Sequence, residues 1–343
     1  MRNYKVGVAG ATGAVGREMI KMLERLDFPV GEIRLLASSR SAGKKLVFKG
    51  REIEVEELSP EWIAANDLDM VIMSAGGSIS EKYAPIFRDK KVYVIDNSSA
   101  WRMDKDVPLV VPEINSAALS KDKHIIANPN CSTIQMVHAL APLHRKALIK
   151  RIIAVTFQAV SGAGQKAIDE LEKETARIVE SGFTEKKLPG GDFPPFPRQI
   201  AFNCIPQIDV FMENAFTKEE MKMVNETKKI LDPRIDISVT CVRVPVFRGH
   251  SEAVNVELSE ELSVSEARKL LEKEPGIKVI DDPASLKYPT ALDADGELET
   301  FVGRIRKDES RANCLWMWIV SDNLLKGAAL NAVQIAQKLI DII

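Results

Sequence analysis

The feature that most constrains this chain is its opening run, "YKVGVAGATGAVGREMIKMLERL" from Tyr4 to Leu26. An apolar strand enters a turn with glycines at 10, 13 and 16. A helix follows with Met19, Ile20, Leu23 and Leu26 on one side. A strand this uniformly apolar needs cover on both faces, which helical crossovers supply. Further short apolar runs, "IRLLAS", "MVIMSA", "VYVID" and "HIIAN", alternate with helix-like or irregular segments up to about residue 130.

That alternation predicts an α/β chain whose residues 1–130 form a Rossmann-type domain. The texture then changes. "IKRIIAVTFQAVSG" reads as a longer strand and "GQKAIDELEKETARIVESG" as a charged amphipathic helix closed by Gly182. "LPGGDFPPFPRQIAFNCIPQ" is too rich in proline and glycine for either, and its segment 188–197 reads as an ordered loop with apolar anchors or as an oligomer-facing segment. Helices are expected from about Thr217 and Ser263, and strands at "DISVTCVRVPV", "SEAVNVELS", "ETFVGRIRKD" and "NCLWMWIVS". Mixed strands with segregated helices predict an α+β catalytic domain over 131–321, and the amphipathic helix 322–343 returns to complete the first domain.

The length of 343 residues suits two ordinary domains. A net charge of −2 gives no global attraction to nucleic acid or anionic membranes. The chain has no run of 18 apolar residues and runs from its N-terminus straight into a strand, so neither a membrane span nor a signal peptide is expected. Cys131, Cys204, Cys241 and Cys314 show no C-x-x-C spacing, which argues against a metal site and a disulfide framework. Reduced thiols and a cytoplasmic location follow as the expectation.

The glycines at 10, 13 and 16 let backbone approach a pyrophosphate at a helix N-terminus; tight strand–helix packing without a ligand is the alternative. Ser38, Ser39 and Arg40 stand at the end of the second strand, where NAD sites usually carry an acidic residue. Hydroxyls and a guanidinium suit a 2′-phosphate, favouring NADP over a merely solvated basic loop. Cys131, in "ANPNCSTIQM", sits between a Pro-Asn turn and a helix start. There the helix dipole lowers a thiol's pKa and favours a nucleophilic thiolate; an inert half-buried cysteine is the alternative.

His250, after an Arg-Gly turn, is the candidate general base; His124, His138 and His144 read as surface or helix-face positions. Arg243 and Gln158 lie on otherwise apolar strands and need an anion and an amide partner respectively. Arg102 follows the end of a sheet strand. Glu219 and Lys222 share a helix face, as an ordinary surface pair also would.

Over essentially the full chain these stretches resemble the aspartate-β-semialdehyde dehydrogenase family. The resemblance rests on "GVAGATGAVG", "NSSAWRMD", "NPNCST", "FQAVSGAG" and "ISVTCVRVPVFRGHS" in that order. It implies Cys131 as the thioester-forming nucleophile, His250 as acid/base and Gln158 holding the substrate near the thioester. Arg243 would bind the α-carboxylate and Glu219 the ammonium, with Lys222, Arg102 and Asn130 on phosphate. Gly10, Thr12, Gly13, Ala14 and Val15 would cradle the NADP pyrophosphate, Ser38 to Arg40 its 2′-phosphate, and Ser161, Gly162 and Asn323 the nicotinamide half.

The implied reaction is NADPH-dependent reduction of L-aspartyl-4-phosphate to the semialdehyde and phosphate, on the way to lysine, threonine and methionine. A homodimer or homotetramer joined through the catalytic domains is also implied. An N-acetyl-γ-glutamyl-phosphate reductase, an acyl-CoA reductase and a non-catalytic NADP sensor are rival readings. "NPNCST" and "FRGHS" disfavour the first, and the phosphate-binding set disfavours the second. The joint presence of Cys131, Arg243 and His250 disfavours the third.

Overall fold

The computed structural model describes residues 2–188 and 193–343, so residues 189–192 of the Pro/Gly-rich segment lie outside the described residues. The chain divides into two compact units, one of residues 1–130 with Gly327–Ile343, the other Cys131–Lys326.

In the first unit the order is β1 (Tyr4–Ala9), α1 (Ala14–Arg25), β2 (Val30–Ala37), β3 (Lys45–Phe48), β4 (Arg51–Glu57), α2 (Pro60–Ala65), β5 (Met70–Met73), α3 (Gly77–Asp89), β6 (Tyr93–Asp96), α4 (Pro112–Asn115) and β7 (Ile125–Ala127). The sheet runs β3-β4-β2-β1-β5-β6-β7. β1 lies parallel to both β2 and β5, and every residue of β5 is buried, as two-sided cover requires. One element departs from the all-parallel expectation. β3 and β4 form an antiparallel hairpin at the sheet edge. Its turn uses Lys49 and Gly50, both at positive φ, so the left-handed geometry of a two-residue hairpin is met without the usual Asn-Gly signal.

The second unit contains α5 (Cys131–Lys146), β8 (Ile149–Gln158), α6 (Gln165–Glu180), α7 (Lys218–Ile230), β9 (Asp236–Arg243), β10 (His250–Leu258), α8 (Val264–Glu272), β11 (Ile277–Val279), α9 (Ala291–Ala294), β12 (Thr300–Lys307) and β13 (Cys314–Ser321). Its mixed sheet has the order β11-β12-β13-β10-β8-β9. One face is covered by α5, α7 and α8 over a core that includes Leu140, Leu143, Met223, Val254, Leu271 and Met317. The other face carries half-exposed Ile153, Val155, Phe157, Val242, Ala253, Trp316 and Trp318.

The described part of the Pro/Gly-rich segment is anchored on α6. Leu188, Phe196, Ile200 and Ala201 pack with Leu171 and Ile178, and the buried Glu174 carboxylate accepts the N–H groups of Ile200 and Ala201 at 2.8 and 2.7 Å. The chain then returns to the first unit through α10 (Leu330–Ile340), which packs on α1, α4 and β6; Asn331 on it donates to Val110 and Asn128.

Among the described residues no helix is long and apolar enough to cross a membrane. No group of three His, Cys, Asp or Glu side chains among them is placed to hold a metal ion.

The glycines of the opening turn divide by role. Gly10 has φ +82°, and a Cβ at Gly16 would lie 2.1 Å from the Gly10 carbonyl oxygen. At Gly13 the nearest atom would be 3.3 Å away. Gly16→Ala is therefore expected to cost ~2 kcal/mol or more through overpacking, and Gly13→Ala distinctly less, through a milder contact with the same carbonyl and a poorer N-cap. Thermal unfolding of the two variants checks this, and equal melting temperatures would contradict it.

Candidate active site

The second unit's strand ends carry the site. The covered face of the sheet can be followed in cross-strand rows. Val239, Ala154, Val254 and Met317 form an apolar row. Next come Cys241, Thr156, Glu252 and Ile319. At the end of the strands Arg243 pairs with Gln158, and His250 pairs with Ser321. Gln158 and His250 approach to 3.4 Å between Nε2 atoms. Three polar side chains far apart in sequence thus lie side by side because β8 is parallel to β9 and antiparallel to β10.

Each member is buried and held. Gln158 accepts from the Thr156 hydroxyl at 3.1 Å and donates to Glu219 Oε1 at 3.2 Å. His250 is fully buried, and its Nδ1 accepts the Ala159 N–H at 3.1 Å. The acceptor role of Nδ1 fixes the tautomer, so the neutral ring carries its proton on Nε2. Burial, with the Arg243 charge adding to it, lowers the imidazole pKa to about 3. The Nδ1 acceptor bond acts in the same direction, because a second ring proton would face an amide proton.

Arg243 Nη1 donates to the Ala159 carbonyl at 2.7 Å, and among the described residues no carboxylate lies within ion-pair distance of it. Burial pulls this guanidinium below its ordinary value, while Glu219 and Cys131 pull the other way, so the thiol lies within electrostatic reach of Arg243. A Cβ built on Gly162 would stand 3.2 Å from both Arg243 Nη1 and His250 Nε2, so the glycine lets both side chains pack against its backbone.

Cys131 is itself the first residue of α5, at the dipole's positive end, so the helix starts at the cysteine. Glu219 sits in the first turn of α7, whose Thr217–Glu220 capping box is complete. Glu220 also accepts the Cys241 N–H at 3.0 Å, which ties the helix start to β9. Glu219 is buried and bonded to Lys222 Nζ at 3.0 Å, so this is no loose surface pair. Asp209 adds a second bond to that amine at 2.9 Å. Burial works against the Lys222 charge, but Glu219 and Asp209 outweigh it and raise its pKa.

Asn323 Oδ1 accepts the Gly249 N–H at 2.9 Å, and its amide bonds Ser161 at 3.0 Å. With the Arg248–Asp322 ion pair at 2.6 Å it fastens the turn that delivers His250. Gly162 thus lies against His250 while Ser161 and Asn323 bond each other beside the Gly249 turn, and Asn323 has a structural duty the sequence does not reveal. Asp209, Glu220, Asp322 and the Ala159 N–H carry no sequence signal beyond ordinary loop and cap residues. His138 differs from a surface reading, being fully buried between Thr300 and Pro275 at 3.0 Å each.

The other candidates belong to the first unit. Gly13 is the N-cap of α1 with no side-chain cap, so the first-turn N–H groups face an open position; Ala14 and Val15 begin the helix. Thr12 Oγ1 reaches Ser41 at 3.4 Å, linking the glycine turn to the loop of exposed Ser38, Ser39 and Arg40. Arg102 is buried and donates to the Asn97 carbonyl at 2.8 Å; Asn130 is buried.

These two units define a nucleotide-dependent dehydrogenase with a cysteine at a helix start. Residues 5–122 match the family described as "Semialdehyde dehydrogenase, NAD binding domain", and residues 140–326 match "Semialdehyde dehydrogenase, dimerisation domain". A curated relative from Aquifex aeolicus, aspartate-semialdehyde dehydrogenase, is 53% identical over 98% of both chains. A crystal structure of aspartate semialdehyde dehydrogenase II from Vibrio cholerae, complexed with ASA, has a TM-score of 0.93 at 45% identity over 99% of both chains. The Candida albicans enzyme with NADP has a TM-score of 0.74 at 26% identity over 99% of both. The chain belongs to the aspartate-semialdehyde dehydrogenase family, an oxidoreductase family of amino-acid biosynthesis.

The His250 environment sets an acid limit. Its ordinary pKa is 6.5 and its folded value about 3, so the unfolded chain takes up a proton that the folded chain refuses between those values. Stability then falls as pH drops through that window, by about 1 kcal/mol per pH unit from this group. Denaturant unfolding from pH 7 to 4 is expected to show a shallower decline in His250→Asn; identical slopes would count against the reading.

Proposed function

We propose that the chain is a phosphorylating, NADP-dependent enzyme that reduces L-aspartyl-4-phosphate to L-aspartate-4-semialdehyde through a thioester on Cys131. The observation that carries this is Arg243. A buried guanidinium with no carboxylate partner among the described residues calls for an anionic ligand. The α-carboxylate of an aspartyl compound supplies it, and Glu219 receives the α-ammonium.

Cys131 reacts as the thiolate, favoured by the start of α5 and by the Arg243 charge. It adds to the C4 carbonyl, and inorganic phosphate leaves with the bonding electrons, giving the thioester. His250 cannot accept a proton at Nε2 while Nδ1 holds the Ala159 N–H. In this state it keeps its proton and offers Nε2–H as a hydrogen-bond donor to the oxyanion of each tetrahedral intermediate. Gln158 fixes the acyl group beside it. When bound, NADPH supplies the hydride that converts the thioester carbonyl to the aldehyde level, after which the thiolate leaves. Lys222, Arg102 and Asn130 bind phosphate.

The uncapped α1 start fits a pyrophosphate, and exposed Ser38, Ser39 and Arg40 fit a 2′-phosphate. The Candida albicans relative, whose crystal structure is with NADP, agrees with that choice. Residues 1–130 with the C-terminal helix serve as the NADP domain and 131–321 as the catalytic domain, in a cytoplasmic enzyme.

Phosphate-dependent NADPH formation from the semialdehyde tests this reading. Activity is expected in the native chain, and loss by at least about 1,000-fold in Cys131→Ala, as removal of a covalent nucleophile implies. Arg40→Ala should raise KM for NADP while leaving the slow NAD rate unchanged. Surviving turnover in Cys131→Ala would refute the mechanism.

The half-exposed sheet face fits a homodimer. Ile153, Val155, Phe157, Ala253, Trp316 and Trp318 stand in register across three strands within the matched dimerisation domain. Sedimentation should find a dimer for the native chain and a monomer for Val155→Asp, because burying an unpaired carboxylate in that contact is costly. An unchanged dimer would place the interface elsewhere.

A further inference from the structure

Two fully buried polar side chains, Gln135 and Glu252, lie behind this site. Gln135 lies one helical turn beyond Cys131 on α5, at i+4, and therefore beneath it on the same helix face. Its Nε2 donates to the His250 carbonyl, a long bond at 3.4 Å, and its Oε1 accepts from the Ser321 hydroxyl at 3.0 Å. His250 and Ser321 are themselves the end pair of β10 and β13. One amide thus clasps both strands at the residue that delivers the imidazole. Two residues along β10, on the same face, Glu252 is fully buried, and neither carboxyl oxygen has a hydrogen-bond partner. Burial keeps it far above the usual carboxylate range, only partly offset by the nearby Gln135 amide. Packing alone favours apolar residues at both positions, as the adjoining row of Val254 and Met317 shows.

We propose that Gln135 is a positioning residue for this reaction, setting the distance and angle between the Cys131 thiolate and the His250 imidazole by tying the nucleophile's helix to the β10–β13 strand end. The Ala159 N–H orients the ring, Gln135 and Ser321 place its backbone, and Glu252 borders the same amide. Nothing in this arrangement touches substrate or cofactor. Its removal therefore affects the transition state more than substrate binding, and the inference rests on Cys131 and His250 doing the chemistry proposed above.

The test compares full-length Gln135→Met, an apolar side chain of similar volume, with Ser321→Ala, which removes only the hydroxyl that orients the amide. Expected results are a kcat lower by about 10-fold or more for Gln135→Met and severalfold for Ser321→Ala, with KM for the semialdehyde unchanged. The double variant should be no worse than Gln135→Met alone, since both substitutions break one linkage. Iodoacetamide should alkylate Cys131 at the native rate in each, because the helix start is intact.

Unchanged kcat in Gln135→Met overturns the inference, as does a fall in kcat accompanied by an equal fall in alkylation rate, which would mean a generally disordered site. If Gln135→Met does not fold, Ser321→Ala decides by the same readouts. Cys131→Ala and His250→Ala run alongside. Turnover surviving in either would defeat the mechanism itself, whereas their inactivity with native kcat in Gln135→Met defeats only the positioning role.

Discussion

The Ala159 amide N–H points at Nδ1 of a fully buried histidine, and much of the site follows from that contact. It selects the tautomer, sends the remaining ring proton to Nε2, and disfavours the imidazolium in an already unfavourable place for charge. The carbonyl of the same residue receives Arg243. One residue, immediately after the end of β8, therefore holds His250 through its N–H and Arg243 through its C=O. Gln158, the last residue of β8, stands beside both.

Such an arrangement is expensive to bury and is supported accordingly. The polar row at the strand ends rests on a row that is half polar and then on one that is wholly apolar, so the buried polar groups gather at one end of the sheet. The fixed partners come from several elements. Glu219 arrives on a helix whose capping box also grips β9, and the turn before His250 is pinned by Asp322 and Asn323. Polar side chains held by several elements lose little freedom on binding, and that is the physical content of preorganisation.

The nucleotide-binding unit solves a different problem with fewer parts. Gly10 and Gly16 are required by backbone contacts within the turn, while Gly13, the N-cap of α1, is under a looser steric limit. The folding demand on that turn thus differs glycine by glycine.

Much was legible in the sequence because it depends on local pattern. The alternation of apolar runs and helices, the glycine turn and the cysteine between Asn-Pro-Asn and a helix each follow from short-range periodicity and backbone sterics. The family resemblance implies roles for Arg243, His250 and Glu219 that local pattern alone does not. The β3–β4 hairpin escaped because Lys49 adopts a left-handed φ that its side chain does not advertise. His138 escaped because its burial depends on Thr300 and Pro275, more than 130 residues away.

Tertiary structure alone decided which polar residues meet. Register between β8, β9 and β10 brings residues 158, 243 and 250 together, and a shift of one residue would turn each to the opposite face. The proton-bearing nitrogen of His250, the double duty of Asn323 and the clasp made by Gln135 are consequences of long-range pairing. A chain's sequence specifies such pairings only through the fold as a whole, because hydrogen bonds between distant residues leave no periodic trace along it.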